Sequence, residues 1–321
     1  MVGKKRPQRP LNYTYTAYLY LLPALLLMAM FIVYPTVNTI VTSFEYDYRF
    51  LTGEFAAFSV RHYREIFQDP VFLRACKNTL FLSFVCVPCS MGMSLAAALA
   101  LDSSKRFQQL LTTLYYLPQV TNVIAAGFVF ALIFNNNFGL LNTALGWLGI
   151  EPVAWISGAG IAGDPVLYHR SYLRCLFILF CYSMWSGLSL KVILFLGGLR
   201  SINPQYRQAA RLDGVSRWQV LRKITLPLLS PTTLYVYITS SITAFKAYSA
   251  VVALFGSNFG PPGDNSKMMI TLVGYILEKL GGYIEPGAVS TASAAAVILL
   301  LAIMILTGIQ MKLTERKVYY G

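Results

Sequence analysis

Six apolar stretches, each long enough to cross a bilayer, recur along this 321-residue chain. One crossing takes about 20 residues of helix. The stretches fall at Ala17–Phe44, Phe72–Leu101, Leu110–Phe134, Tyr172–Leu199, Leu229–Phe255 and Gly287–Met311. Hydrocarbon offers a backbone amide no water to bond, so such a run must satisfy its own hydrogen bonds as a helix. The fold class that follows is all-α, a polytopic membrane protein of six transmembrane helices. Charged residues make up only 12% of the chain, about half the share in soluble domains, which excludes a soluble globule.

Six spans put both termini on one side, and the charges say which. The N-terminal tail carries Lys4, Lys5, Arg6 and Arg9 with no acid. Lys105 and Arg106, the stretch from Arg200 to Lys223, and Lys312, Arg316 and Lys317 continue that bias on alternate connections. The opposite loops hold most of the acids, among them Glu45, Asp47, Glu65, Asp69, Glu151 and Glu285. By the positive-inside rule the basic face, with both termini, is cytoplasmic. The net charge of +13 is thus a consequence of topology, and no basic soluble domain exists to bind nucleic acid. The first apolar run is too long for a secretory signal and lacks a small-residue cleavage site, so it reads as an uncleaved span. Five cysteines, an odd number, lie in or beside spans and argue against a disulfide framework.

The organisation expected is one membrane domain. A basic tail over 1–16 leads to the first span and an outer segment over 17–71. A membrane-embedded core over 72–312 and a short tail over 313–321 follow. Within the outer segments, GLLNTALGWLG places Leu141, Ala144, Leu145 and Leu148 on one helical face, suited to the outer interface or a partner. Gly256–Glu285, rich in glycine and proline and containing GPPGD, reads as a turn-rich outer loop.

Between the fourth and fifth spans lies a polar, basic insert, RSINPQYRQAARLDGVSRWQVLRKITLPLLSP. Asn203-Pro204 opens a helix, with a capping side chain followed by proline at the first helical position. Asp213-Gly214 supplies a turn, Ser216 caps a second helix, and Pro227 stops it. Tyr206, Ala209 and Ala210 share a helical face, and small residues there invite close docking. A DNA-reading helix–turn–helix has similar composition. Here, however, both ends enter spans within a few residues, which leaves little reach into a major groove.

Other motifs reduce to bland readings. Gly158–Gly163 matches G-x-G-x-x-G, but it sits in an outer loop rather than between a strand and a helix, so it reads as a flexible loop. Cys86-Val87-Pro88-Cys89 lies mid-span and reads as two small hydrophobes beside a proline bend rather than a redox pair. His62 and His169 stand far apart, with no metal-ligand spacing around them. No phosphate-binding loop is present, so any ATP used in transport is hydrolysed by another chain.

Two lysines inside spans stand out, because intramembrane charge is costly and faces a cavity or a partner. Lys191 lies about 13 Å along the helix before Arg200, within reach of the cytoplasmic interface by snorkelling. Lys246 lies roughly 28 Å beyond Pro227, in the outer part of the fifth span. Gln119, Asn122, Tyr182, Trp185, Ser189 and Tyr248 are candidates to line a solute path with them, the aromatics offering flat faces to a ligand ring. Tyr and Trp also serve simply to pack helices or anchor interfaces.

The insert resembles the cytoplasmic loop of ABC importer permeases, roughly E-A-A-x-x-D-G-A ending in I-x-L-P. Gln208-Ala209-Ala210, Asp213-Gly214-Val215 and Ile224, Leu226, Pro227 fall at that spacing. Glutamine stands where the family has glutamate, valine replaces the final alanine, and Leu221 replaces a phenylalanine. Leu117-Pro118, Phe134-Asn135 and Gly139-Leu140-Leu141-Asn142 also resemble the carbohydrate-uptake subgroup, and the likeness covers nearly the whole chain.

The resemblance implies a type I importer permease (MetI-like) fold in a bacterial or archaeal plasma membrane, with a coupling loop over 200–228. It implies no catalysis and no cofactor bound by this chain, with ATP-Mg held on two ATPase subunits. A second homologous permease and an extracytoplasmic solute-binding protein complete the assembly. Tyr206, Gln208, Ala209, Ala210, Asp213 and Gly214 would form the docking element. The solute would be a sugar or sugar-like molecule moved by alternating access. A stand-alone secondary transporter is the rival reading; it expects acidic relay groups inside spans, and none is present in the sequence.

Overall fold

The computed structural model describes residues 13–103, 108–156, 164–263 and 265–315. Most of the N-terminal tail, Lys105 and Arg106, the Gly158–Gly163 motif and the last residues lie outside that set; Arg207 and Arg211 are described in backbone only. Four helices are long and apolar enough to span alone: Ala17–Thr42, Pro70–Ser103, Pro165–Ser201 and Ala288–Leu313. Two more spans are bent pairs, Thr112–Val120 with Val123–Ile133 at 102° and Ser230–Phe245 with Ser249–Phe255 at 53°. All six expected spans therefore have counterparts, but the third and fifth are broken rather than continuous. The fourth runs for 37 residues, roughly 55 Å against a hydrocarbon core of about 30 Å, so it projects well beyond the membrane.

Prolines explain the local geometry. Three described π-helical turns, Ala29–Val33, Leu82–Cys86 and Leu221–Thr225, each end two residues before a proline: Pro35, Pro88 and Pro227. Proline has no N–H to donate, and its ring crowds the carbonyl four residues back. Widening the preceding turn, so that Tyr34, Val87 and Leu226 bond to carbonyls five residues back, absorbs the mismatch without ending the helix. The expected stop at Pro227 is thus corrected. The second helix of the insert begins at Arg217 and passes through the π turn to Leu228, and Ser230–Phe245 follows at once.

The breaks are built from polar side chains. Pro118 removes a donor near the end of Gln108–Val120, and Thr121 Oγ1 donates to the Leu117 carbonyl at 2.9 Å. Asn122 then caps the next helix, its Oδ1 accepting from the amides of Ile124 and Ala125 at 2.9 and 3.2 Å. In the fifth span the chain leaves helical geometry after Phe245, and Thr271 donates to the freed Ala247 carbonyl at 2.6 Å.

Two cores hold the bundle. At the hairpin end the second and fourth spans pack through Ala98, Leu101, Val192, Phe195 and Leu199, with Leu229 of the fifth joining them. The outer core corrects the turn-rich reading of Gly256–Glu285. After the glycine–proline stretch the chain folds inward, Met268, Met269 and Ile270 are fully buried, and Leu272–Gly281 is a helix capped by Thr271. Phe72 of the second span meets Tyr275 of that helix edge to face, 5.3 Å between centroids. The first span stands apart: no part of its apolar window is buried, and only its outer end, Tyr34–Thr42, packs on the sixth.

Candidate coupling hairpin and translocation cavity

At the end of the fourth span, Asn203 Oδ1 accepts from the Gln205 amide at 2.9 Å and opens the helix Pro204–Leu212. Asp213 and Val215 amides donate back to the carbonyls of Ala209 and Ala210, both at 3.0 Å, closing the helix around Gly214. Gly214 has φ of +71°, the left-handed conformation that a side chain disfavours, so glycine is required by this turn. Ser216 and Gln219 form a reciprocal capping box at the start of the second helix.

The candidate docking residues do not all face outward. Tyr206, Gln208, Ala209, Asp213 and Gly214 are exposed, whereas Ala210 is buried. The shared small-residue face is therefore split: Ala210 packs inward and Ala209 remains open. Sequence reasoning missed Leu212 and Trp218, which are 89% and 69% exposed. Both are bulky apolar side chains left exposed on a polar insert, which makes them candidate docking groups. Their signal was available as isolated bulky residues among charges.

A cavity of about 510 Å³ lies where the second, fourth and fifth spans meet the break of the third. Of the candidate path residues, Tyr182, Lys191, Lys246 and Tyr248 line it. Tyr182 donates to the Val123 carbonyl at 3.2 Å, tying the fourth span to the broken third. The remaining candidates do not line the cavity. Trp185 packs beside it against Phe130, at 5.5 Å between centroids. Asn122 serves as the helix cap just described, Gln119 is exposed, and Ser189 is buried with its hydroxyl unpaired.

Lys191 corrects the snorkelling reading. It is only 8% exposed, and its ammonium donates to Ser90 of the second span. A Cβ added at Gly187 would come within 3.1 Å of Lys191 Nζ. The side chain therefore runs one turn back toward the helix N-terminus, as helical side chains lean, and away from the helix's C-terminal end at Ser201. Sequence reasoning also missed the hydroxyls around it: Ser90, Ser183, Ser186, Ser240, Thr243 and Ser249. Ser183, Ser186 and Gly187 stand at helical spacing ahead of Lys191, which was the legible sign of a polar stripe.

Residues 91–320 match the family model described as binding-protein-dependent transport system inner membrane component. The chain belongs to that family. It is 28% identical over 316 residues to the arabinooligosaccharides transport system permease protein AraP of Bacillus subtilis (strain 168), covering 97% of this chain and 93% of that protein. It is likewise 28% identical over 304 residues to the sulfoquinovosyl glycerol transport system permease protein SmoG of Agrobacterium fabrum (strain C58 / ATCC 33970), covering 94% and 91%. Among solved structures it resembles a chain of a bacterial ABC transporter involved in the import of the acidic polysaccharide alginate. That match has a TM-score of 0.75 at 21% identity and covers 95% of this chain and 96% of that one, which shows the fold. As an inner membrane component of binding-protein-dependent transport, the chain is a permease subunit of an ABC importer and not an enzyme. That membership also decides against a stand-alone secondary transporter.

Proposed function

We propose that this permease subunit forms half of the translocation pathway of an ATP-driven importer for a sugar or sugar-like solute. A second homologous permease supplies the other half. Two ATPase subunits holding ATP-Mg dock beneath, an extracytoplasmic binding protein delivers solute, and lipid surrounds the assembly. Both termini face the cytoplasm in this reading, from the charge bias. The names of relatives such as the arabinooligosaccharide permease support the solute class.

One observation carries the coupling mechanism. The hairpin's second helix leads through Leu221–Thr225 and Leu226–Leu228 into Ser230–Phe245, and the far end of that helix borders the cavity at Lys246. A push on the exposed hairpin at Tyr206, Ala209, Leu212 and Trp218 is therefore delivered along a packed helix to the solute path. Gln208, Asp213 and Gly214 shape the docking surface, the glutamine as a hydrogen-bonding amide.

Ala209→Glu places a long charged side chain where close approach is needed. The importer complex carrying it, reconstituted in proteoliposomes, is expected to lose ATP-dependent uptake by at least about tenfold, the scale of one disrupted interface contact. Membrane assembly of the permease should be retained. Normal uptake with normal ATPase association would refute the hairpin's role.

A further inference from the structure

The cavity's charge is one-sided. Among the described residues its lining contains Lys191 and Lys246, eight hydroxyl-bearing side chains and no carboxylate. Among the described residues neither lysine forms a salt bridge. Lys246 stands exposed at the break of the fifth span, just past the helix Ser230–Phe245, whose C-terminal dipole favours a cation there. The dipole accounts for that charge in part. No such account covers Lys191.

Lys191 is more than nine-tenths buried, and its ammonium donates to the neutral hydroxyl of Ser90. Burying an ammonium is costly unless a counter-charge meets it, and in a membrane interior such a group marks a solute or ion path. The fold keeps space for the charge rather than excluding it. Gly187, one turn back, is the residue whose missing Cβ leaves room for Nζ. The ammonium is thus held between two spans in a hydroxyl-lined cavity, with no acid among the described lining residues.

We infer that the transported solute is an acidic sugar, carrying a carboxylate or a phosphate, and that Lys191 and Lys246 hold its charged group in the cavity while the hydroxyls meet the sugar ring. The inference rests on the sugar-importer reading and narrows it. Relationship alone leaves the charge open, since the relatives' names include arabinooligosaccharides as well as sulfoquinovosyl glycerol.

The test uses the complete importer in proteoliposomes. Thermal-shift screening of its binding protein selects a neutral sugar, its uronate and its phosphate, and uptake of each is measured with labelled solute. The acidic member should be taken up in preference to its neutral twin. Lys191→Met and Lys246→Met should each lower acidic uptake about tenfold through apparent KM, the loss expected for one charge-assisted contact, and lower neutral uptake by much less. Lys246→Arg should retain most of the acidic uptake. Because Lys246 is exposed, its variants test the claim even where Lys191→Met assembles poorly. Equal uptake of the neutral sugar, or equal loss of both solutes in the methionine variants, would overturn the inference while leaving the sugar-importer reading intact. Uptake of an acidic solute that is not a sugar would keep the lysines' role and defeat that reading instead.

Discussion

Asn78 sits fully buried in the second span and uses its whole amide. Its Nδ2 donates to the carbonyls of Met268 and Ile270 at 3.1 and 2.8 Å, and its Oδ1 accepts from the Tyr172 hydroxyl at 2.9 Å. Beside it Thr79 accepts from the Leu272 amide at 3.1 Å, and Arg74 donates to the Ser266 carbonyl. These bonds explain how an irregular segment is tolerated inside the outer core, where an unmet carbonyl is expensive. Asn78→Ala leaves two carbonyls and a hydroxyl without this partner, at about 1–3 kcal/mol for each buried group left unmet. Solubilised importer carrying it should lose roughly 3–5 kcal/mol of stability, seen as a lower thermal midpoint and faster proteolysis between residues 256 and 271. An unchanged midpoint would remove Asn78 from this role. Nothing near Asn78 in the sequence announces it, because the two carbonyls lie 190 and 192 residues away. Lys191 was legible as a charge within a span, but the direction of its side chain depends on Gly187 and Ser90 together. Ala210 was legible as a small residue on a helix, though not as one turned inward.

At the scale of elements, length and apolarity are local properties, so the spans could be read directly while their breaks could not. Pro118, Thr121 and Asn122 make a 102° bend only because each serves a different backbone group. Met268–Ile270 were masked by the glycines and prolines before them, although Leu272, Tyr275 and Ile276 carried helical spacing. Pro227 shows why punctuation misleads. A proline ends an isolated helix, but a π turn ahead of it lets this one continue. Pro227→Ala restores an amide donor and allows the turn Leu221–Thr225 to revert to regular α-helix. Losing one residue from the turn rotates the hairpin by about 100° relative to the fifth span. Uptake should fall several-fold while the thermal midpoint stays level or rises, since an interior proline is itself unfavourable. Unchanged uptake would show that the register set by Pro227 does not matter to coupling.

Across the whole molecule, the exposed hairpin and the cavity are two ends of one packed unit. The fourth span enters the hairpin at Ser201 and the fifth leaves it, and both line the cavity where their side chains turn polar. The first span, with no buried surface in its apolar window, leaves a broad face for lipid or the second permease. The coupling proposed above requires that ATP-driven force at the hairpin switch access to the cavity. It is tested most directly by thiol labelling of Ser249→Cys, a cavity-lining position, in importer whose five native cysteines are replaced. A membrane-impermeant reagent is applied from either side of proteoliposomes, with and without trapped ATP. Labelling should come from the cytoplasmic side at rest and from the outer side when ATP is trapped, and Ala209→Glu should abolish the switch. Labelling that is the same in both nucleotide states, or a switch untouched by Ala209→Glu, would contradict the account.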